Sequence, residues 1–330
     1  MAIGKASDFV VYQDQYQSGI VEVLTQNSKA FNDASRGAIV LSTISRRGDF
    51  SQAAFFSNVT NLVSRRDTTS TAAAGDLALS EEEIISVKVN RKIGPVGQTR
   101  DAFRKIAAGR TSEELSFILG QQSAVAMQLD MLNSSLRATR AALANQASNL
   151  YTVPANATLN TLGLVQGLAK FGDAADRIVA WIMHSKAYYD LVANQITANI
   201  YGVSNFNIAQ GSPVTLNRPV IITDSDALAV DGGAGSTAYT NYYTLGLTVG
   251  GALVENSEQE ELVVIDITGL ENLVVRYQGE FAYNLGVKGF KYDITNGGAN
   301  PADAALGTGS NWDPAYASLK NWAGIAIQSR

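Results

Sequence analysis

The stretch from Thr111 to about Leu150 constrains the chain most, because it reads as one long, sparsely charged helix. Leu115, Ile118, Val125, Leu129, Leu132, Leu136 and Leu143 recur at three- and four-residue spacing, with Gln122 and Thr139 the only non-apolar members of the row. Thr111 and Ser112, followed by Glu113 and Glu114, supply an N-terminal cap and acidic residues in the first turn. Val153-Pro154 closes the helix, since a residue before proline avoids the helical region. At ~1.5 Å per residue the rod is roughly 55 Å long, and it overhangs any compact core of a chain this size. The remaining elements are expected to hang from it.

What surrounds the rod is short of charge. Charged residues make up 17% of the 330-residue chain, against about a quarter in ordinary soluble proteins. Its surface is therefore built from Ser, Thr, Asn, Gln, Gly and Ala, which suits contact with other protein. A net charge of −5 argues against a dedicated nucleic-acid binder. With no cysteine, disulfides, thiolate zinc sites and cysteine nucleophiles are excluded. The opening residues Met1–Asp8 carry no apolar run of signal-peptide type, and no stretch approaches 18 apolar residues. The expectation is a product without a membrane span, made or assembled in the cytoplasm.

Upstream of the rod, residues 1–37 are polar with scattered aromatics and read as an arm, with one or two amphipathic turns around Ile20 to Leu24. Residues 38–44 form a short apolar strand. From Phe50 to Val96 two strand-like halves flank a polar loop. The first holds Phe55, Phe56, Val59, Leu62 and Val63; the second alternates Ile85, Val87 and Val89 with Ser86, Lys88 and Asn90. This is an extended hairpin with its tip at about 64–82, ended by Gly94-Pro95. Two-stranded hairpins are marginal in water, so it rests either on its own domain or on a neighbouring subunit.

Downstream, Gly163 to Gly172 reads as a turn region, and a second helix is expected from Asp173, with Asp176 in its first turn, to about Gly202. Short strands follow: Arg218–Asp224, Tyr239–Val249, Ala252–Val254, Leu262–Ile267 and Leu273–Tyr277. A longer one runs from Phe281, with a bulge at Gly289, and the terminal strand spans Trp322–Ile327. Asn300-Pro301 and Asp313-Pro314 look like helix starts.

No catalytic constellation emerges. His184, the only histidine, falls between Trp181 and Tyr188 on the expected helical line and reads as structural. No Gly-x-Ser-x-Gly elbow accompanies it, and no helix carries the Glu-x-x-His pattern of a carboxylate metal site. Asp224 with Asp226 and Asp173 with Asp176 read as turn and cap residues. Gly232–Gly235 neither follows a strand nor opens a helix, so it is no phosphate cradle. Catalytic, cofactor and metal residues are thus all read as none. The remaining candidates are inter-subunit contacts: the acidic run Glu81, Glu82, Glu83 facing Arg65 and Arg66 of another copy, or else a solvated start of a strand.

Three local segments in order, behind the rod, resemble the major capsid (coat) proteins of tailed double-stranded DNA bacteriophages. Ile182-Met183-His184-Ser185, then Tyr188-Tyr189 and Leu191, is similar to one family helix. Asn217-Arg218-Pro219-Val220-Ile221-Ile222-Thr223-Asp224 is similar to a family strand. Asn300–Leu306 with Asn311-Trp312-Asp313 resembles the closing signature of one branch.

The resemblance implies an α+β fold of the tailed-phage major capsid type. It would have an N-terminal arm (1–37), a short strand and extended hairpin loop (38–100), and the spine helix of a peripheral domain (101–153). An axial domain interleaved with peripheral strands would occupy 154–330. It also implies hexamers and pentamers closing an icosahedral virion shell around double-stranded DNA, held without sequence-specific binding. A scaffolding protein and a portal would be partners, with assembly in the host cytoplasm and no cofactor. Some members weld subunits by a lysine–asparagine isopeptide bond from the extended loop; residues 64–76 contain no lysine, so no such bond is expected. Other readings are an encapsulin-type compartment with the same fold, a cytosolic α/β enzyme built on His184, or a tail or decoration module.

Overall fold

The structure, a computed structural model, describes residues 13–42, 50–56, 68–69, 71, 81–99, 112–154, 157–200, 215–232, 238–316 and 318–330. From Gln13 the expected arm is a 22-residue helix, α1 (Gln13–Ala34). Tyr16, Ile20 and Leu24 recur every four residues and are buried. They pack on the spine, α2 (Ser112–Ala144). Tyr16 meets Gly120, and Gln128 donates to the Leu24 carbonyl at 3.4 Å, so the two helices run in the same direction where they touch.

The spine ends at Ala144, short of the expected Leu150, and Leu150 opens a strand, β4 (Leu150–Thr152). Its burial follows the apolar row in part: Leu136, Thr139 and Leu143 are buried, but the row is not the whole buried face. Val125 and Leu129 are exposed, whereas Gly120, Ala124, Met127, Met131, Ser134, Ser135, Ala138 and Thr139 are buried. Small side chains let neighbours approach the helix from several directions. The buried hydroxyls are satisfied locally: Ser135 donates to the Leu132 carbonyl at 2.8 Å and Thr139 to the Ser135 carbonyl at 2.7 Å.

Two sheets flank the spine. The first has five strands in the order β1 (Ile39–Ser42), β9 (Ala252–Ile267), β10 (Val274–Val287), β3 (Glu81–Thr99), β2 (Phe50–Phe56). β2 and β3 form the expected hairpin, with Phe50 opposite Val87 and Phe56 opposite Glu81. Gly94-Pro95 does not end it. The strand bends there, with Gly94 at φ +78°, shifts register against β10, and continues to Thr99. The short strands read at 252–254 and 262–267 are one strand, as are those at 273–277 and 281–287. They pair antiparallel along nearly their whole length. Residues 57–63, assigned to the first half of the hairpin, and its tip lie outside the described residues, apart from 68–69, 71 and 81–82.

The second sheet runs β4, β13 (Gly324–Ser329), β8 (Thr240–Thr248), β5 (Ile178–His184), β6 (Val220–Thr223), with β7 (Ala229–Asp231) paired to β8. Here the sequence reading is overturned. The helix expected from Asp173 to Gly202 is a 3-10 turn (Gly172–Arg177), a strand (β5) and a helix, α4 (Ser185–Ile200). Trp181, Ile182 and Met183 are buried on both sides of the sheet, and such a continuous apolar run carries no period that separates helix from strand. The turn region at 163–172 is instead a helix, α3 (Thr161–Phe171), whose N-cap Asn160 accepts from Gly163 N at 2.7 Å. Gly167 lets α3 sit against Ile327 of β13, where an added Cβ would come within 2.5 Å.

Gly289, expected as a bulge, is a turn at φ +82° that turns the chain into a separate two-stranded sheet, β11 (Phe290–Tyr292) with β12 (Trp312–Pro314). Asp313-Pro314 therefore lies in a strand, not a helix start. After Asn300-Pro301 the short helix α6 (Asp303–Leu306) begins only at Asp303; α5 (Ile294–Gly297) precedes it, capped by Asp293.

Candidate assembly surfaces

On the first sheet, side chains alternate between two faces. Val275, Tyr277, Phe281, Tyr283, Leu285 and Val287 of β10 are buried toward the core. Tyr283 donates to Asp130 Oδ2 at 2.8 Å and lies 2.9 Å from Ser134 Oγ, which seats α2 on the sheet. Burial pushes the Tyr283 hydroxyl pKa well up, with the Asp130 charge adding to it, so it stays a donor.

Arg91 of β3 extends this cluster. Its Nε donates to Asp130 at 2.9 Å, and its Nη2 donates to Ser134 at 3.1 Å and to Asp303 at 2.5 Å. Arg137 Nη1 holds the other Asp303 oxygen at 3.0 Å. One network thus ties the hairpin strand, the spine, β10 and α6 together. Burial acts to raise the Asp303 carboxyl, but hydrogen bonds and charge from Arg91, then Arg137, outweigh it and hold the group below its ordinary pKa.

The opposite face divides in two. Near the base, Glu255, Asn284 and Lys88 sit side by side on β9, β10 and β3 and are buried. Lys88 Nζ also reaches Glu258 at 2.5 Å. Toward the tip, Glu261, Val263, Ile265, Arg276, Gln278 and Glu280 are exposed.

The residues singled out in sequence fall differently. Glu81, Glu82 and Glu83 open β3, with their backbone opposite Phe56, Phe55 and Ala54. Arg65 and Arg66 lie outside the described residues, so the two groups are not brought together in what is described. His184 ends β5 rather than sharing a helix face with Trp181. Its Nδ1 accepts from Lys186 N at 3.2 Å, and its ring lies 5.0 Å from that of Tyr242. Asp173 pairs with Lys320, and Asp226 lies in a 3-10 turn capped by Ser225, whose hydroxyl accepts from Ala227 N. No group of three or more His, Cys, Asp or Glu suited to a metal occurs among the described residues. No described helix is long and apolar enough to cross a membrane.

A family model described as Major capsid protein 13-like matches residues 8–326. The chain belongs to that family. No curated protein matches the capsid subunit at sequence level. Among solved structures it is similar to the capsid of Helicobacter pylori bacteriophage KHP30, at TM-score 0.50 and 10% identity over 89% of this chain and 88% of that one. The capsid of Ralstonia phage GP4 follows at TM-score 0.49 and 11% identity, covering 89% and 87%. An encapsulin complex from Synechococcus elongatus aligns at 0.45 and 12%, covering 87% and 84%. The fold is that of phage major capsid proteins, and the subunit is a structural component of the virion.

Proposed function

We propose that copies of this subunit assemble into hexamers and pentamers that close an icosahedral shell around a double-stranded DNA genome. Assembly takes place in the host cytoplasm, with a scaffolding protein as guide and a portal at one vertex. The family match over residues 8–326 carries the reading. The sheet geometry supports it: β2 is an edge strand of its sheet, and a hairpin edge gains stability by lying across a neighbour. In this reading residues 1–37 are the arm, 38–100 the extended loop, 101–153 the spine of a peripheral domain, and 154–330 an axial domain with peripheral strands interleaved. Glu81, Glu82 and Glu83, with Arg65 and Arg66, are inter-subunit contacts, and the subunit is not an enzyme.

The deciding experiment is electron microscopy of the protein expressed with its neighbouring virion genes. Uniform closed particles that hold nuclease-resistant DNA are expected. Particles filled with a protein cargo would favour an encapsulin-type compartment, and absence of particles would reject a shell. Denaturing gels of mature particles should show a single band; covalent ladders would contradict the expectation of no isopeptide weld.

A further inference from the structure

The tip half of the β9–β10 ribbon carries a pattern that selects its own partner. Strand pairing sets three rows across one face: Glu261 beside Glu280, Val263 beside Gln278, and Ile265 beside Arg276. Val263 is 51% exposed and Ile265 57%, and the rows border a concavity of about 400 Å³. These two β-branched residues, two apart on one face, leave apolar area in a concavity that a docked face would remove from water. Neither Arg276 nor the two glutamates has an ion pair among the described residues. Lys92, opposite Glu280 on β3, offsets one of the two acidic charges and leaves that end net negative.

The charges settle the occupant. The acidic row and Arg276 lie about 14 Å apart along the strands, at ~3.4 Å per residue, with the Val263–Gln278 row midway. Two such faces stack about a twofold axis in one of two ways. An axis along the strands keeps every row on its own row, so the glutamates of one copy meet those of the other. An axis across the strands, at the Val263–Gln278 row, sets each Arg276 over Glu280 of the other copy and Val263 over Val263.

We propose that this face docks on the same face of a second copy about the second axis. Contacts within a ring of five or six are head-to-tail, whereas this one is isologous. It therefore joins neighbouring rings, and in this it rests on the shell reading above.

The absence of cysteine makes the test clean. In assembled particles of Gln278→Cys, a short bismaleimide is expected to give covalent dimers and nothing larger, while Gln122→Cys on the exposed spine face gives none. Arg276→Glu should leave free rings intact but lower the yield of closed particles about tenfold or more. The exchange Arg276→Glu with Glu280→Arg should restore it. If wild-type particles form, yet the 278 thiols do not cross-link and Arg276→Glu closes normally, the twofold contact is wrong and the shell reading stands. If the wild-type chain forms no particles under any assembly condition, the shell reading itself falls.

Discussion

Arg91 on the hairpin strand donates through Nε to Asp130 on the spine helix at 2.9 Å, onto the same Oδ2 that accepts from Tyr283 at 2.8 Å. The shared oxygen makes the two donors interdependent. Tyr283→Phe is expected to destabilise the subunit by about 1 kcal/mol, and Asp130→Ala by about 2–3 kcal/mol, because the second leaves two donors without their acceptor. The double variant should fall short of the sum, with a coupling of about 0.5 kcal/mol or more. Urea unfolding of unassembled subunits measures all three.

Acid should loosen the same network from its Asp303 end. Arg91 and Arg137 keep the Asp303 carboxyl below its ordinary value of 3.8. A group depressed on folding contributes its full stabilisation above the unfolded value and loses it as pH falls through the folded one. Stability at pH 7 therefore contains this contribution, and it is lost progressively as pH falls below about 3.8 and through the depressed folded value. In Asp303→Asn the fall in stability between pH 4 and pH 2 should be shallower than in wild type. Thermal melts across that range, compared between the two proteins, provide the check.

The spine shows what was and was not legible in sequence. Its existence and approximate length followed from spacing, and so did the hairpin, from the alternation of Ile85, Val87 and Val89. Its buried face followed only in part, since Leu136, Thr139 and Leu143 of the row are buried. Apolar spacing picked out Val125 and Leu129, which face outward, because the real contacts use Gly120, Ala124, Ser134, Ser135 and Ala138. Close approach of neighbours demands small residues, and small residues carry no hydrophobic signal. The same blindness hid α1, whose buried row of Tyr16, Ile20 and Leu24 is diluted by Gln and Ser. At β5, Ile178–Met183 is apolar without a period, and its partners β6 and β8 come from residues far along the chain. The contact face at Val263 and Ile265 was visible as strand, but its charge pattern appears only once β9 is set in register against β10.

A pair of substitutions separates the two readings of the spine. Leu129 is 56% exposed and Met131 is 5% exposed. Leu129→Ala should change subunit stability by no more than about 0.5 kcal/mol. Met131→Ala should cost about 2–5 kcal/mol through lost burial and the cavity left behind. Equal losses, or a larger one at Leu129, would mean that the spine is rotated from the position described.

Gly120 marks a close approach of the first helix to the spine. A Cβ there would lie 2.3 Å from the Tyr16 carbonyl oxygen, and one on Gly19 would lie 2.7 Å from the Phe117 carbonyl oxygen. Both obstacles are backbone, so neither can be relieved by a side-chain rotation. Gly120→Ala must therefore push α1 away from α2. That would weaken the Gln128 hydrogen bonds to Asn27, Ser28 and the Leu24 carbonyl farther along the same contact. Overpacking of this kind costs about 1–3 kcal/mol, and here it is expected to fall on α1 rather than on the sheets. Amide exchange should quicken throughout residues 16–28 while β8, β10 and β13 keep their protection. Uniform loss of protection across the sheets would show instead that α1 is part of the cooperative core, and unchanged exchange would show that the two helices are farther apart than described.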